Sequence, residues 1–202
     1  PKIPNPSAMN EFRPISCCNT IYKCISKLIS NRLQVVLPDL IGESQSAFIK
    51  GRKISDNVLL AQDLLRDYHK RSGQPRVAAK VDLMKAYDTV NWDFLFDLLQ
   101  VLNFPPIMIG WIKACVSSPK FSINFNGESI GYFAGARGLR QGDPMSPYLF
   151  VIIMDFLDQL MQRNISDNPL FKYHCKCDKL KIAHLCFADD LLILFHGSAE
   201  SA

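Results

Sequence analysis

A run of twelve residues near one end of the chain, HLCFADDLLILF (184–195), restricts the possible folds more than any other stretch. Phe187, Leu191, Leu192, Ile193 and Leu194 are apolar, yet Asp189 and Asp190 sit side by side among them. Short apolar runs bounded by a turn signal form buried strands. Two such strands flanking Ala188-Asp189-Asp190 predict a hairpin with both carboxylates at its turn. Neighbouring carboxylates repel, and desolvation adds to the penalty unless a divalent cation neutralises them. A solvated Asp-Asp turn at a hairpin tip avoids the desolvation instead, and the dipeptide alone does not choose between the two.

The segment VAAKVDLMKAYDTVNW (77–92) supplies a second source of carboxylate. Val77 to Leu83 is short and β-like, and Asp82 lies at its end, where strands of open α/β sheets present ligand-binding groups. If this strand lies beside the hairpin, Asp82, Asp189 and Asp190 converge into a set of hard oxygen ligands suited to Mg²⁺. Two such ions, about 3.5–4 Å apart, activate an attacking hydroxyl and stabilise a leaving phosphate. Asp88 is a further carboxylate on the segment, expected in a salt bridge or helix cap rather than as a fourth ligand.

Composition limits what surrounds this centre. With 202 residues, 48% of them hydrophobic and 21% charged, the chain can bury a sizeable core as one domain or two packed lobes. It is too apolar to be disordered, and no stretch of about 18 uncharged apolar residues predicts a membrane span. PKIPNPSAMN lacks the layout of a signal peptide. A first residue other than Met, and an end at HGSAESA directly after an apolar run, lead us to expect a piece of a longer polypeptide. Seven cysteines at irregular spacing do not form a disulfide pattern and suit a reducing compartment. Residues 1–80 hold 13 Lys and Arg against 6 Asp and Glu, whereas residues 81–202 hold 10 against 13. A basic part and a carboxylate-bearing part fit a polyanion held by one and a cation by the other.

Periodicity predicts an alternation of helices and strands. Ile21, Ile25, Leu28, Ile29, Leu33 and Val36 share helical spacing, with a stop before Pro38. A second helix is expected from an N-cap at Ser55 or Asp56 to the Ser72-Gly73 break. Helices are expected from Asn91 to Val101 and from Pro106 to about Val116. Phe121 to Phe133 has the alternation of a hairpin turning at Asn126-Gly127. Asp143-Pro144 predicts an N-cap and first-turn proline for a long apolar helix to about Met161. His174, Cys175, Cys177 and His184 are candidate zinc ligands by residue type, but Cys-x-Cys lacks the usual ligand spacing.

Asp82 with Tyr87 five positions on, GLRQGDPMSPYLF (138–150) and FADD (187–190) occur in an order and spacing that resemble the polymerase motifs of reverse transcriptases. The wording is similar to that of non-long-terminal-repeat (LINE-type) retrotransposons, especially plant ones. EFRPISCCNTIYKCISKLISNRL (11–33) and ESQSAFIKGRKISDNVLLAQDLL (43–65) resemble the two finger motifs of the same family. The resemblance implies an α+β right-hand polymerase: fingers over 1–76 and an antiparallel palm sheet backed by helices over 77–202. The thumb expected after the palm is not covered by these residues.

The resemblance also implies roles. Asp82, Asp189 and Asp190 become the catalytic acidic cluster, holding two Mg²⁺ ions, with Mn²⁺ as a substitute. Tyr87 lies under the sugar of the incoming nucleotide, where its ring crowds a ribose 2′-OH. Gln141 lines the nucleotide pocket, in a loop made pliable by Gly138 and Gly142. Arg13 and Lys2 grip the triphosphate, and Lys50, Arg52 and Lys53 hold template phosphates. The implied partners are an RNA template, a DNA primer and deoxynucleoside triphosphates, with no membrane. The implied reaction is RNA-directed DNA synthesis. The alternatives are a truncated, inactive retroelement remnant that at most binds nucleic acid, and a palm serving another nucleotidyl transfer.

Overall fold

A computed structural model describes residues 1–8, 11–13, 15–70 and 73–201. Pro14 of the first finger motif and Ser72 of the predicted helix stop lie outside them. The chain divides into two compact units, one of Pro1–Asn31 with Tyr87–Ser146 and the other of Arg32–Ala86 with Pro147–Ala202.

Helix α1 spans Thr20–Leu40, and the Asn19 side chain accepts a hydrogen bond from Tyr22 N at its start. Its buried stripe is Ser26, Ile29, Ser30, Leu33 and Leu37, whereas Ile21, Ile25, Leu28 and Val36 are exposed. This corrects the face expected from apolar spacing. Ser26 and Ser30 enter the buried stripe because their hydroxyls are satisfied, Ser30 Oγ donating to the Ser26 carbonyl at 2.6 Å. The helix also continues through Pro38 instead of stopping before it. A proline there removes a single N–H near the helix end, and Ile41 N still reaches the Leu37 carbonyl at 2.9 Å.

In the first unit, α3 (Ala86–Thr89, whose first residue belongs to the other unit) leads into α4 (Trp92–Val101), capped by Asn91 accepting from Phe94 N at 3.1 Å. Helix α5 (Pro106–Ser117) starts with the expected proline and packs on α4. Leu95, Leu98, Leu99, Ile109, Ile112 and Val116 are buried. Strands β2 (Lys120–Phe125) and β3 (Glu128–Ala134) form the expected hairpin, with Asn126 and Gly127 both at positive φ.

In the second unit, α2 runs over Ile54–Leu65 with Lys53 at its N-cap, two to three residues earlier than the predicted cap, and ends well before Gly73. Strand β1 (Arg76–Asp82) pairs antiparallel with β5 (Asp190–His196), which pairs antiparallel with β4 (His184–Phe187), so the sheet order is β1-β5-β4. Helix α6 covers Ser146–Asp167, starting a residue past Met145 and extending beyond Met161. The start is late because Asp143 caps locally, its Oδ1 accepting from Met145 N at 3.2 Å, and also accepts from the Tyr22 and Ser26 hydroxyls.

Alternation along the strands separates two sheet faces. Leu185, Leu192, Leu194 and Ala78 pack with Leu60, Ala61 and Leu64 of α2. His184, one residue out of phase with Leu185, faces the opposite way and lies 3.3 Å from Asp158 of α6. Burial lowers the His184 pKa and outweighs the attraction of Asp158, so the ring is neutral, with Nε2 facing the carboxylate. Among the described residues, buried His184 Nδ1 has no hydrogen-bond partner. Because this pKa is depressed on folding, its contribution to stability is complete above the ordinary histidine value of about 6.5 and is lost as pH falls below it. Thermal unfolding between pH 7.5 and 5 is expected to show that loss, with a shallower slope in His184→Gln. An unchanged slope would remove His184 as its source.

The candidate zinc residues are placed otherwise. His174 and Cys177 are buried in a turn where His174 Nδ1 accepts from Lys176 N at 3.2 Å and His174 stacks on Tyr68. Cys175 is exposed.

Candidate active site

The register of the sheet decides which carboxylates meet. Asp82, last in β1, stands directly opposite Asp190, first in β5. Directly paired antiparallel residues have Cα atoms about 4.5–5.5 Å apart and side chains on the same face. Phe187 and Asp190 close the hairpin between β4 and β5, leaving Ala188 and Asp189 as its two-residue turn. Ala188 has φ 54°, the positive value required at the first position of a tight turn that fits strand twist. Gln45 secures that turn: its Oε1 accepts from Ala188 N at 3.0 Å, and its Nε2 contacts Cys186 Sγ and the Ala188 carbonyl. Burial pushes the Cys186 thiol up to about 12, so the residue before FADD acts as packing rather than as a nucleophile.

Asp189 is half-buried, while Asp82 and Asp190 are exposed. Lys80, two residues before Asp82 on the same face, reaches Asp190 at 3.1 Å. Among the described residues, no three His, Cys, Asp or Glu side chains stand close enough to hold a metal ion. The backbone thus pairs Asp82 with Asp190 and leaves Asp189 in the adjoining turn, without the convergence of all three carboxylates expected from sequence, and Lys80, which sequence reasoning did not single out, supplies a countercharge to Asp190. Its only signal was alternation, since residues 80 and 82 share a strand face. The donor chemistry fits a hard divalent cation.

A second group of predicted residues lies in the other unit, around the GLRQGDP loop. Gly138 N donates to the Val90 carbonyl at 2.8 Å and Leu139 N to that of Tyr87 at 2.7 Å, so the loop runs beside 87–90. Ser16 N donates to the Gln141 carbonyl at 2.8 Å, and Gln141 Nε2 to Asp88 Oδ1 at 3.5 Å. Asp88 is therefore a partner of Gln141. The two glycines let this loop approach other backbone closely. At φ 91° and 108°, a Cβ on Gly138 would lie 2.8 Å from the Asp88 carbonyl, and one on Gly142 2.9 Å from that of Ser16. Asp88, Trp92, Phe121, Phe133, Arg137 and Gln141 are among the residues lining a cavity of about 270 Å³ here.

The predicted cations differ in setting. Arg13 and Lys2 are exposed, as are Lys50 and Lys53. Arg52 turns inward instead. Its guanidinium donates to the carbonyls of Gly42 at 2.5 Å, Gln45 at 2.7 Å, Ile41 at 2.7 Å and Pro38 at 3.4 Å.

The family model for reverse transcriptase (RNA-dependent DNA polymerase) matches residues 3–201. The chain belongs to the reverse transcriptase family. It is 31% identical over 186 residues to the transposon TX1 uncharacterized 149 kDa protein of Xenopus laevis, covering 92% of this chain and 14% of that one. With the Pol polyprotein of type-2 retrotransposable element R2DM of Drosophila melanogaster it shares 26% identity over 193 residues, covering 96% of this chain and 17% of that one. The chain is thus a reverse transcriptase domain of non-long-terminal-repeat type and spans a small part of the relatives' length. Among solved structures, apo telomerase from Candida tropicalis has a similar fold, with a TM-score of 0.56, 11% identity, and coverage of 88% of this chain and 34% of that one. The fold is a mixed α+β polymerase fold with antiparallel sheets. Enzymes of this family generally use divalent metal ions.

Proposed function

We propose that this reverse transcriptase domain extends a DNA primer along an RNA template, adding deoxynucleotides to the primer 3′-OH with release of pyrophosphate. The observation that carries this is the cross-strand pair of Asp82 and Asp190 beside the Asp189 turn. Like charges directly opposite each other on a sheet are destabilising. A strand pair that keeps two of them at an open end, with a third in the adjoining turn, is suited to a bound cation. Two Mg²⁺ ions, or Mn²⁺ in their place, would be held by Asp82, Asp189 and Asp190 and would offset charge on the reacting oxygens.

The remaining residues bind and orient. Gln141, kept in place by its loop, lines the nucleotide pocket, and Tyr87 disfavours a ribose 2′-OH. Arg13 and Lys2 hold the triphosphate, where a guanidinium fork matches phosphate oxygens. Lys50 and Lys53 are exposed just before and at the N-cap of α2 and suit salt-sensitive contacts to template phosphates. Arg52 supports that segment through its carbonyl contacts. In this proposal residues 1–76 act as fingers and 77–202 as palm, and the motif wording favours a plant retrotransposon as the source of the chain.

The test is primer extension on an RNA template with Mg²⁺, using the 202-residue chain and a form lengthened through a thumb. Template-dependent incorporation of deoxynucleotides by the lengthened form is expected. Template binding without extension by either form would overturn the activity and favour the inactive remnant.

A further inference from the structure

The loop that carries Gln141 rests on a buried polar cluster of motif residues that hold neither the metal nor the nucleotide in the proposed activity. Asp143 has a side chain only 1% exposed, and Arg140 one 10% exposed, with 3.6 Å between Arg140 Nη2 and Asp143 Oδ2. Tyr22 and Ser26, four residues apart on one side of α1, both reach this carboxylate. Tyr22 OH donates to Oδ2 at 2.6 Å and Ser26 Oγ donates to Oδ1. Arg140 in turn donates to Tyr22 OH and to the Cys115 carbonyl in the last turn of α5. Its guanidinium also lies over the Tyr22 ring, 4.4 Å from the centroid.

A buried ion pair is a poor device for stability, because desolvation offsets the attraction and well-packed apolar side chains often do as well. It is an effective device for uniqueness, since each member accepts few alternative partners. Here the pair brackets Gln141 and Gly142 from both sides in sequence. The guanidinium matches a helix C-terminal carbonyl, an aromatic face and a carboxylate at once, which no apolar substitute does. The Asp143 carboxylate in turn has its lone pairs taken by two hydroxyls and by Met145 N. The cluster therefore locks the two residues flanking Gln141-Gly142 to α1 and α5, while Ser16 and Asp88 hold Gln141 itself.

We infer that Tyr22, Ser26, Arg140 and Asp143 are positioning residues that set the Gln141 loop for nucleotide binding. The inference rests on the proposed polymerase activity for its kinetic consequence, but not for its structural one. Tyr22→Phe is the informative change, because it keeps the ring beneath Arg140 and removes only the hydroxyl that joins Arg140 to Asp143. Arg140→Lys keeps the charge and loses the fork and the stacking.

Two measurements test it. In hydrogen exchange on the intact chain, the amides of 138–145 in Tyr22→Phe should exchange about tenfold faster than in the unaltered chain, with exchange in β1, β4 and β5 unchanged; tenfold is the effect of a lost hydrogen bond to a charged group. In primer extension by the lengthened form, Tyr22→Phe should raise the KM for deoxynucleoside triphosphate about tenfold on the same ground, while kcat changes less than about twofold. Arg140→Lys should move loop exchange and KM in the same directions. Unchanged loop exchange in Tyr22→Phe would overturn the positioning role whether or not the chain polymerises. Faster exchange with unchanged KM would also overturn it, since the cluster would then stabilise the loop without serving the nucleotide. Absence of extension by the unaltered protein would instead strike the polymerase proposal, leaving loop exchange to decide the positioning role.

Discussion

Asp189→Asn is expected to reduce RNA-templated primer extension by on the order of 10³-fold, the scale seen when a charge-stabilising group is removed from a preorganised site. The change is isosteric, and Asp189 sits in a two-residue turn, so packing of β4 and β5 is retained. Folding stability should be unchanged or slightly higher, because one of three neighbouring negative charges is removed next to the Asp82–Asp190 pair. Opposite signs for activity and stability distinguish a ligand from a structural residue. Titration of Mg²⁺ against the thermal midpoint supplies a readout besides catalysis: the ion should raise the midpoint of the unaltered protein more than that of the variant. Extension at the normal rate by Asp189→Asn would remove this residue from the centre.

Arg52→Ala is expected to destabilise the second unit by about 3 kcal/mol, within the range for losing several hydrogen bonds from a charged donor and stranding their acceptors. Four carbonyls, those of Pro38, Ile41, Gly42 and Gln45, would lose one donor together. Three lie at or just past the end of α1, where helix carbonyls have no partners of their own and a cation is favoured. Lys50→Ala, on an exposed neighbour, should leave stability within about 0.5 kcal/mol. Chemical denaturation of the two variants side by side checks the contrast. Equal stability of Arg52→Ala and the unaltered chain would show the carbonyl contacts to be dispensable. If Lys50 and Lys53 contact template phosphates, their variants should weaken binding and flatten its salt dependence without a loss of stability.

The elements legible from sequence were those with a strong local signal. The helix expected from Asn91, Pro106 in a first turn, Asn126-Gly127 as a hairpin turn and a hairpin bend within Ala188-Asp189-Asp190 each depend on backbone chemistry within a few residues, and each forms, although Asn91 caps its helix and Asp190 opens β5 instead of sharing the turn with Asp189. The boundaries and faces that differed depend on partners distant in sequence. Ser26 enters the buried stripe of α1 because Asp143, 117 residues away, takes its hydroxyl, and α6 starts late because the same carboxylate is engaged before the helix begins. Arg52 had the sequence context of a template-binding cation, and only the nearby end of α1 shows why it turns inward. The glycines of GLRQG were recognisable as special, but their reason was not: they allow close backbone approach to Asp88 and Ser16.

Sequence alone determined the candidate site residues of this protein: three carboxylates at a strand end and an adjoining hairpin, a Gln-bearing glycine loop and the order in which they occur. It could do so because residue type, turn chemistry and motif spacing are local properties of the chain. Only the tertiary structure decided that Asp82 faces Asp190 with Lys80 beside them, and that Gln141 stands on a buried Tyr-Ser-Arg-Asp cluster. Strand register and burial of a charge are set by contacts between residues far apart in the chain, which no local pattern encodes.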